Sequence, residues 1–232
     1  MSSLRKITYK SKSVGNLLGK ITTKFQFKLL YFYKEKSIVD LIKTTKKETN
    51  LAFYPYEAFT VYSIAKAQSV FDGEMAEVGV YRGGSAKLIC EAKANRKLHL
   101  FDTFEGLPEV TDKDTHFGTK FWQDKQFNDT SEEQVKKYLK SYPAVSVYKG
   151  LFPQTGGHVE NSTFSFVHLD VDLYKSTLDC LNFFYPRMIR GGIILTHDYH
   201  TSGVQQAFKE FFADKKVSII ELTGSQCMIV NS

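Results

Sequence analysis

The sequence predicts an α/β fold built on a doubly wound, mostly parallel sheet of seven strands. Short apolar runs alternate with helix-like segments, which is the order of a parallel sheet with helices on both faces. The apolar runs are continuous rather than alternating, as expected for strands that are buried on both faces. The chain then closes on two apolar runs, residues 216–222 and 225–230, which predict an antiparallel hairpin at the edge of the sheet.

The individual elements follow from apolar spacing and from helix-capping residues. Residues 14–46 predict one or two irregular helices, and residues 55–72 predict a clearer helix with Pro55 in its first turn. The first five predicted strands are residues 74–80, 97–104, 144–150, 163–170 and 191–198. Helices are predicted after the first of these strands, at residues 83–95, 131–142 (with Ser131 as N-cap), 155–161, 174–188 and 203–214.

Basic residues are concentrated at the start of the chain. Residues 1–48 hold 12 Lys and Arg against 3 Asp and Glu, whereas residues 49–232 hold 19 against 22. We therefore divide the chain into a basic helical arm, residues 1–50, and an α/β domain, residues 51–232. Such an arm could meet nucleic acid, anionic lipid or an acidic substrate. Because it carries apolar anchors and no nucleic-acid motif, we expect it to pack on its own domain or on a second subunit of a homo-oligomer.

The cysteines and the N-terminal residues predict a compartment. Cys90, Cys180 and Cys227 are far apart and lack metal-ligand spacing, which favours a reducing environment over a disulfide framework. Lysines interrupt the apolar residues of the basic arm, so neither a signal peptide nor a membrane span is expected. The sequence therefore predicts a cytoplasmic protein without nucleic acid as a partner.

Glycines and carboxylates follow the first two predicted strands, at the strand ends where such sheets bind ligands. After the first strand, Gly79 and Gly83 would let a ligand approach the backbone, and the helix that includes Ser85 offers free N–H groups. Their spacing differs from a dinucleotide fingerprint, and tight helix–sheet packing is the alternative reason for the glycines. Asp102 ends the second strand, 25 residues after Glu77, where an acid can accept hydrogen bonds from both hydroxyls of a ribose.

Two further carboxylates, Asp170 and Asp198, end the fourth and fifth predicted strands. A right-handed crossover places these strands side by side, so both side chains should face one crevice. Paired carboxylates repel unless they share a proton or a cation, and a hard cation there would activate a coordinated hydroxyl. The alternative is a cap for the helix that begins near Tyr174. Asp172 fits the cap better, so we assign Asp172 to capping or to support of the site, and Asp170 to chemistry.

Six segments also carry a resemblance to a known family: EVGVYRGGS, FDTFEGLPE, KGLFPQT, FVHLDVDLYKST, YPRMIRGGIILTHDY and GVQQAFKEFF. In order and spacing, from about residue 52 to 213, the sequence resembles the macrocin O-methyltransferase (TylF/MycF) family. The resemblance implies the Rossmann-like fold of class I methyltransferases and S-adenosylmethionine as the cofactor. It also implies metal-assisted methyl transfer to a hydroxyl of a sugar or glycosylated small molecule, with Mg²⁺ or Mn²⁺ as the ion.

The same resemblance implies roles for individual residues. The residues implied to bind the cofactor are Glu77, Gly79, Gly83 and Ser85 at the methionine part, Asp102 at the ribose and Gly150 beside the adenine. Asp170 and Asp198 match the family's first and last metal ligands, with Asp170 in catalysis, and we place His197 beside them as a further metal ligand and catalytic residue. The family usually has Asp in place of His197. Imidazole there weakens the metal site or favours a softer ion such as Mn²⁺ over Mg²⁺, or else no metal binds and His197 acts as a general base.

Two other functions fit some of these residues. A metal-dependent hydrolase could use Asp170 and the HDYH cluster of residues 197–200, although it would leave Glu77 and Asp102 unexplained. A methyltransferase-like module could bind the cofactor without turnover.

The long connection of residues 101–127 is predicted to be functional because structureless loops of this length are uncommon in compact domains. Its aromatic residues, Phe104, Phe117, Phe121 and Trp122, could close over the cofactor or stack on a sugar.

Overall fold

The computed structural model describes residues 12–116, 119–120 and 122–232, and residues 1–11 of the predicted basic arm lie outside it. The helices in the described part are α1 (Lys12–Tyr33), α2 (Lys36–Thr49), α3 (Pro55–Gln68), α4 (Gly84–Ala92), α5 (Glu132–Tyr138), α6 (Tyr174–Phe184) and α7 (Ser202–Phe211). The strands are β1 (Glu74–Val78), β2 (Leu98–Asp102), β3 (Thr115–His116), β4 (Thr119–Lys120), β5 (Val145–Lys149), β6 (Phe164–Leu169), β7 (Met188–Thr196), β8 (Ile220–Glu221) and β9 (Cys227–Val230). None of these helices combines the length and apolarity needed to cross a bilayer.

Seven strands form one sheet in the order β5-β2-β1-β6-β7-β9-β8. Strands β5, β2, β1, β6 and β7 are parallel neighbours, and β9 runs antiparallel between β7 and β8. The predicted mostly parallel sheet with an antiparallel C-terminal hairpin is therefore confirmed. The remaining strands, β3 and β4, pair with each other in the long connection after β2.

Helices cover both faces of the sheet, which explains the continuous apolar strands. All six residues of β6 are buried. The adjacent residues Phe166 and Val167 enter separate cores on opposite faces, because successive side chains of a strand alternate. One core contains Val61 of α3 and Leu88 of α4, and the other contains Phe184 and Phe208 of α6 and α7. The sheet is therefore doubly wound, as predicted.

The boundary between α6 and β7 differs from the prediction. The helix predicted over residues 174–188 ends at Phe184, and a 3₁₀ turn, Tyr185–Arg187, follows it. Pro186 in this turn has no N–H to continue the helix, so the chain leaves it there. Strand β7 then begins at Met188, where the amide of Asn231 donates to two of its carbonyls.

The N-terminal residues form two helices of different character. In α2, Val39 and Ile42 are fully buried in the domain. In α1, only Leu30 among the described side chains is buried, and Gln26 accepts a hydrogen bond from the Tyr56 N–H at the start of α3, at 3.1 Å. Helix α2 is therefore part of the core, whereas α1 lies on the surface of the domain.

Candidate active site

A cavity of about 1170 Å³ lies at the carboxyl ends of the parallel strands. Its wall comes from the segments after β1, β2, β5, β6 and β7, from the loop between α2 and α3, and from the turn between β8 and β9. Seven of the predicted site residues line it: Gly79, Ser85, Asp102, Gly150, Asp170, His197 and Asp198. The other two, Glu77 and Gly83, do not.

The segment of residues 79–85, the glycine turn, needs glycine at its first position. Gly79 has a φ of +85°, and a Cβ there would lie 1.9 Å from the backbone oxygen of Asp170. Its N–H donates to the Phe101 carbonyl at 2.9 Å, and the Asp170 N–H donates to the Val78 carbonyl at 2.9 Å. Gly79 thus lets the ends of β1 and β6 approach each other, which agrees with the packing alternative, and it also lines the cavity.

Glu77 lies beneath the cavity wall rather than in it. Its Oε1 is 2.7 Å from Nδ1 of His168, and both side chains are fully buried. Burial raises the pKa of Glu77 above its usual range, although His168 opposes the shift. Gly83 is the N-cap of α4, with a φ of +79°, and faces Tyr138 of α5. The cofactor roles implied for these two residues stay predictions.

Asp102 holds the glycine turn in place. Its Oδ2 accepts the N–H groups of Val80 and Tyr81 at 2.7 and 2.8 Å, and its Oδ1 accepts the Phe104 N–H at 2.7 Å. A carboxylate has about four lone-pair sites, so these three bonds leave one site, on Oδ1, for a ligand hydroxyl. The structure therefore gives Asp102 a structural role that the sequence did not predict, beside its place in the cavity wall.

The long connection is more ordered than predicted. It contains the β3–β4 hairpin, and Asp114 Oδ1 accepts the N–H of Tyr174 at the start of α6, at 2.6 Å. The predicted capping role of Asp172 is therefore wrong, because Asp114 supplies the oxygen at this helix terminus. Trp122 is buried and lines the cavity, as does Phe127. Of the predicted aromatic lid, Phe117 and Phe121 lie outside the described residues.

Asp170, Asp172, His197 and Asp198 form an acid–histidine cluster where β6 and β7 end. Nδ1 of His197 is 2.8 Å from Oδ2 of Asp198 and 3.2 Å from Oδ1 of Asp170. The expectation that Asp170 and Asp198 share a crevice is therefore confirmed, since these parallel strands are neighbours. The side chain of Asp170 is 23% exposed, more than the side chains of His197 (13%) and Asp198 (8%).

The other side of the His197 ring is held by residues that the sequence analysis missed. Nε2 lies 3.0 Å from Oγ of Ser225, and that hydroxyl donates to Oε1 of Glu57 at 2.8 Å. The ring stacks on Phe53 with centroids 4.3 Å apart and planes 16° apart. Glu57 also accepts the N–H of Tyr54 with Oε2, at 2.8 Å. In the sequence, Glu57 is simply an acid in the first turn of α3, so nothing there indicated a place in the site.

This hydrogen-bonding pattern fixes the proton on Nε2. The hydroxyl proton of Ser225 is directed at Glu57, so its oxygen is left to accept the Nε2–H of His197. On the opposite side, Nδ1 faces carboxylates alone. Burial opposes a charge on His197, but the carboxylates of Asp198 and Asp170 outweigh burial and raise the pKa of the imidazole well above its usual range. A doubly protonated ring satisfies every contact.

Asp172 and Asp198 carry opposite protonation preferences. Burial and the charges of Asp198 and Asp170 raise the pKa of Asp172 well above its usual range, which favours the protonated form of Asp172 beside Asp198. Burial disfavours the charged form of Asp198 as well, but His197 outweighs it and lowers the pKa of Asp198 to about 2. Asp172 therefore supports the cluster rather than α6.

The donor atoms of Asp170, His197 and Asp198 fit a divalent cation. One donor atom from each lies within 4.8 Å of the others. Adjacent ligands of an octahedral ion with bonds of about 2.1 Å lie about 3 Å apart, as the contacts of Nδ1 do here. The Nε2–H bond to Ser225 is the orienting contact that metal-bound imidazoles usually make, and a cation at Nδ1 would take the place of the proton that this nitrogen carries without metal.

Comparison with known proteins places the chain in a family. The sequence model of the macrocin O-methyltransferase (TylF) family matches residues 61–223. Similar curated proteins include a tetracenomycin 4'-O-methyltransferase from Streptomyces olivaceus that acts on a 2,3-dimethoxy-rhamnosyl derivative, with 30% identity over 66% of this chain and 64% of the relative. The mycinamicin III 3''-O-methyltransferase from Micromonospora griseorubida is 28% identical over 60% of each chain. This chain thus matches less than two thirds of each of these relatives.

Solved structures show the same fold at lower identity. The O-methyltransferase NovP superposes with a TM-score of 0.63 at 24% identity, and the aligned residues cover 76% of this chain and 79% of the NovP chain. The calicheamicin methyltransferase CalS11 superposes with a TM-score of 0.66 at 16% identity over 91% of both chains. The fold is that of class I methyltransferases, as the resemblance implied. Since the family model spans well over half of the sequence, the chain belongs to the macrocin O-methyltransferase family.

Proposed function

We propose that this protein transfers a methyl group from S-adenosylmethionine to a sugar hydroxyl of a glycosylated small molecule. The family is one of O-methyltransferases, and the similar curated proteins are named for methyl transfer to glycosylated natural products. The observation that carries the proposal is a single cavity lined by the glycine turn and Asp102 on one side and by Asp170, His197 and Asp198 on the other. Such a cavity can hold the donor and the acceptor together.

On the cofactor side, the proposed roles follow from what each group offers. The glycine turn brings backbone close to the ligand, and Asp102 keeps one lone-pair site for a ribose hydroxyl. Gly150 and Leu151 line the cavity after β5, where the adenine would lie. Trp122 and Phe127 on the long connection provide apolar surface that can exclude water from the sulfonium.

On the acceptor side, the chain must align a hydroxyl with the methyl group and remove its proton. Alignment alone contributes much of the rate in such transfers, since the sulfonium already activates the methyl group. Asp170 is the carboxylate of the cluster with the most exposed side chain, so we assign it to the acceptor hydroxyl. Phe53, Ser225 and Glu57 keep His197 in one orientation beside Asp170.

We propose a divalent cation held by Asp170, His197 and Asp198. When bound, such an ion lowers the pKa of a coordinated hydroxyl and makes it a nucleophile near neutral pH. Because one of the three protein ligands is an imidazole nitrogen, Mn²⁺ should suit the site at least as well as Mg²⁺. The alternative, in which His197 is the general base without metal, is less well supported. Without a cation, the carboxylates beside Nδ1 favour a protonated ring, which cannot act as a base, whereas a bound cation would replace the Nδ1 proton and satisfy the same carboxylates.

The experiment measures methyl transfer to a panel of glycosylated acceptors and to their aglycones. We expect methylation of the glycosides alone, loss of turnover on addition of a chelator, and recovery with Mn²⁺ at least equal to that with Mg²⁺. Asp170→Asn should lower kcat by about 10²- to 10⁴-fold, the usual contribution of acid–base groups. Asp214→Asn, an exposed acid remote from the cavity wall, is the matched control.

Three results would overturn parts of the proposal. Full activity in chelator, with a rate that rises with pH through the imidazole range, would establish His197 as the base instead of the metal. Binding of S-adenosylhomocysteine without methylation of any acceptor would favour a module without turnover. Methylation of aglycones but not of glycosides would exclude the sugar hydroxyl as the acceptor.

A further inference from the structure

Helix α1 presents an apolar stripe to solvent. Six apolar residues of this helix have exposed fractions between 37% and 78%: Val14, Leu17, Leu18, Ile21, Phe25 and Phe32. At 100° per residue, all six fall within an arc of about 100°, so they form a stripe along one face of the helix, unbroken from Val14 to Phe25. Isolated exposed apolar residues are ordinary, but a contiguous exposed stripe marks an interaction surface.

The stripe is not the face by which α1 packs on its own domain. Leu30 is buried, Gln26 bonds to the start of α3, and a Cβ on Gly19 would lie 3.4 Å from the Tyr54 hydroxyl. These three positions lie on the opposite side of the helix from Ile21 and Phe25. The domain therefore fixes the orientation of α1 and leaves the stripe facing outward.

The charged residues of α1 are all basic. Lys20, Lys24 and Lys28 are exposed and form no ion pair with any acid of the described residues. By helical geometry Lys20 and Lys24 border the stripe, and Lys28 lies within it, between Phe25 and Phe32. Residues 1–34 contain eight Lys and Arg and no Asp or Glu. At the end of the helix, the exposed rings of Phe32 and Tyr33 stand edge to face, 4.8 Å apart.

We propose that α1 docks this protein on the surface of a bilayer that contains anionic phospholipid. An amphipathic helix with lysines beside a Leu, Ile and Phe face lies in the plane of the membrane interface, and aromatic rings favour the headgroup level. The positive charge complements anionic headgroups, each lysine near the surface adding to the attraction. A second copy of α1 would instead bring the same lysines together without an acid on either helix. The proposal does not depend on the methyl transfer proposed above.

The experiment is sedimentation of the full chain with large unilamellar vesicles of phosphatidylcholine, with or without phosphatidylglycerol. We expect the protein to pellet with the anionic vesicles and to be released as salt rises and screens the lysines. Ile21→Ser combined with Phe25→Ser should lower the partition coefficient at least about tenfold, since both side chains lose apolar burial in the interface. Val70→Ser, an apolar side chain 74% exposed outside α1, should leave it unchanged.

A charge variant separates the two contributions. Lys24→Glu combined with Lys28→Glu should abolish the preference for anionic vesicles while affinity for S-adenosylhomocysteine and the melting temperature stay at wild-type values. Failure of the wild type to pellet with anionic vesicles would overturn the proposal. So would a stripe variant that pellets like the wild type. A dimer of the wild type in lipid-free solution that the stripe variant converts to monomer would assign the stripe to a second copy instead.

Discussion

In the wall of the cavity around Gly79 and Asp102, one side chain accepts several main-chain N–H groups, whereas the wall around His197 is held by contacts among several side chains. The Asp102 carboxylate accepts the N–H groups of Val80 and Tyr81 in the glycine turn. His197 depends on Asp170 after β6 and on Ser225 between β8 and β9. The first wall therefore depends on the Asp102 side chain, but a cluster of several side chains changes with any of its members. The cluster is therefore where we expect variation of acceptor and metal preference.

The largest expected effect is a loss of stability in Gly79→Ala, because Gly79 lies where the glycine turn meets the backbone of Asp170. In Gly79→Ala the new Cβ would meet the backbone oxygen of Asp170, at a φ that disfavours L-residues. We expect the free energy of unfolding to fall by about 4 kcal/mol, the range reserved for severe backbone conflicts. Denaturant unfolding measures it, with Gly157→Ala as control because no atom lies within 4 Å of that Cβ. Wild-type stability in Gly79→Ala would show that the strand ends can separate freely.

The second prediction uses pH to weaken the His197 wall alone. Burial disfavours the charge on Glu57, but His197 and Ser225 outweigh burial and lower its pKa to about 2, from 4.5 in the unfolded chain. Below pH 4.5 the unfolded chain binds this proton first, so the stability from Glu57 is present above 4.5 and lost as pH falls toward 2.

The difference between the folded and unfolded pKa of Glu57, about 2.5, corresponds to about 3 kcal/mol in the free energy of unfolding. Urea unfolding between pH 6 and pH 2 should therefore show a steeper loss of stability in the wild type than in Glu57→Gln. Glu160→Gln, at an exposed position, should follow the wild-type curve. Parallel curves for the wild type and Glu57→Gln would contradict the depressed pKa.

The third prediction weakens the glycine turn alone. Asp102→Asn replaces one acceptor oxygen by an amide donor, which cannot pair with the N–H groups it would face. We expect affinity for S-adenosylhomocysteine to fall by about 2 kcal/mol by calorimetry, while kcat at saturating cofactor stays within about threefold. Asp124→Asn is the matched control, since it accepts a single N–H, from Val110, in the same connection. Unchanged affinity in Asp102→Asn would remove Asp102 from cofactor binding.

The smallest effect tests the far side of the histidine. Ser225→Ala removes the acceptor for the Nε2–H of His197 and a donor to Glu57. We expect kcat to fall by about fivefold to tenfold, equivalent to about one hydrogen bond, with no change in cofactor affinity. Ser218→Ala, exposed in the same C-terminal segment, should have no effect. A change in KM for the cofactor instead of kcat would show that Ser225 acts on cofactor binding and not on His197.

The parts that the sequence could predict are those that depend on neighbouring strands. Continuous apolar runs identified the buried sheet, and the pairing of β6 with β7 brought Asp170 and Asp198 together as expected. Asp102 was found because it ends a strand. In each case, position within a regular element determines where the side chain lies.

Residues contributed by irregular segments could not be predicted in this way. Glu57 resembles an ordinary first-turn acid, and Ser225 an ordinary turn residue, because their meeting depends on how the β8–β9 hairpin sits against α3. The cap of α6 was misassigned for the same reason. Asp114 is 60 positions from Tyr174 in the sequence, whereas Asp172 is only two away and was the closer candidate.

The bond between Glu57 and Ser225 joins residues 168 positions apart, which bears on the order in which the chain acquires its properties during folding. Closing a long loop costs more entropy than closing a short one, so contacts of high sequence separation form late. A folding intermediate with β1, β2 and their intervening helix could already possess the glycine turn clamped by Asp102. His197 would still lack its support. In refolding experiments, the glycine turn should therefore acquire its hydrogen bonds to Asp102 before His197 acquires its contacts with Ser225 and Glu57.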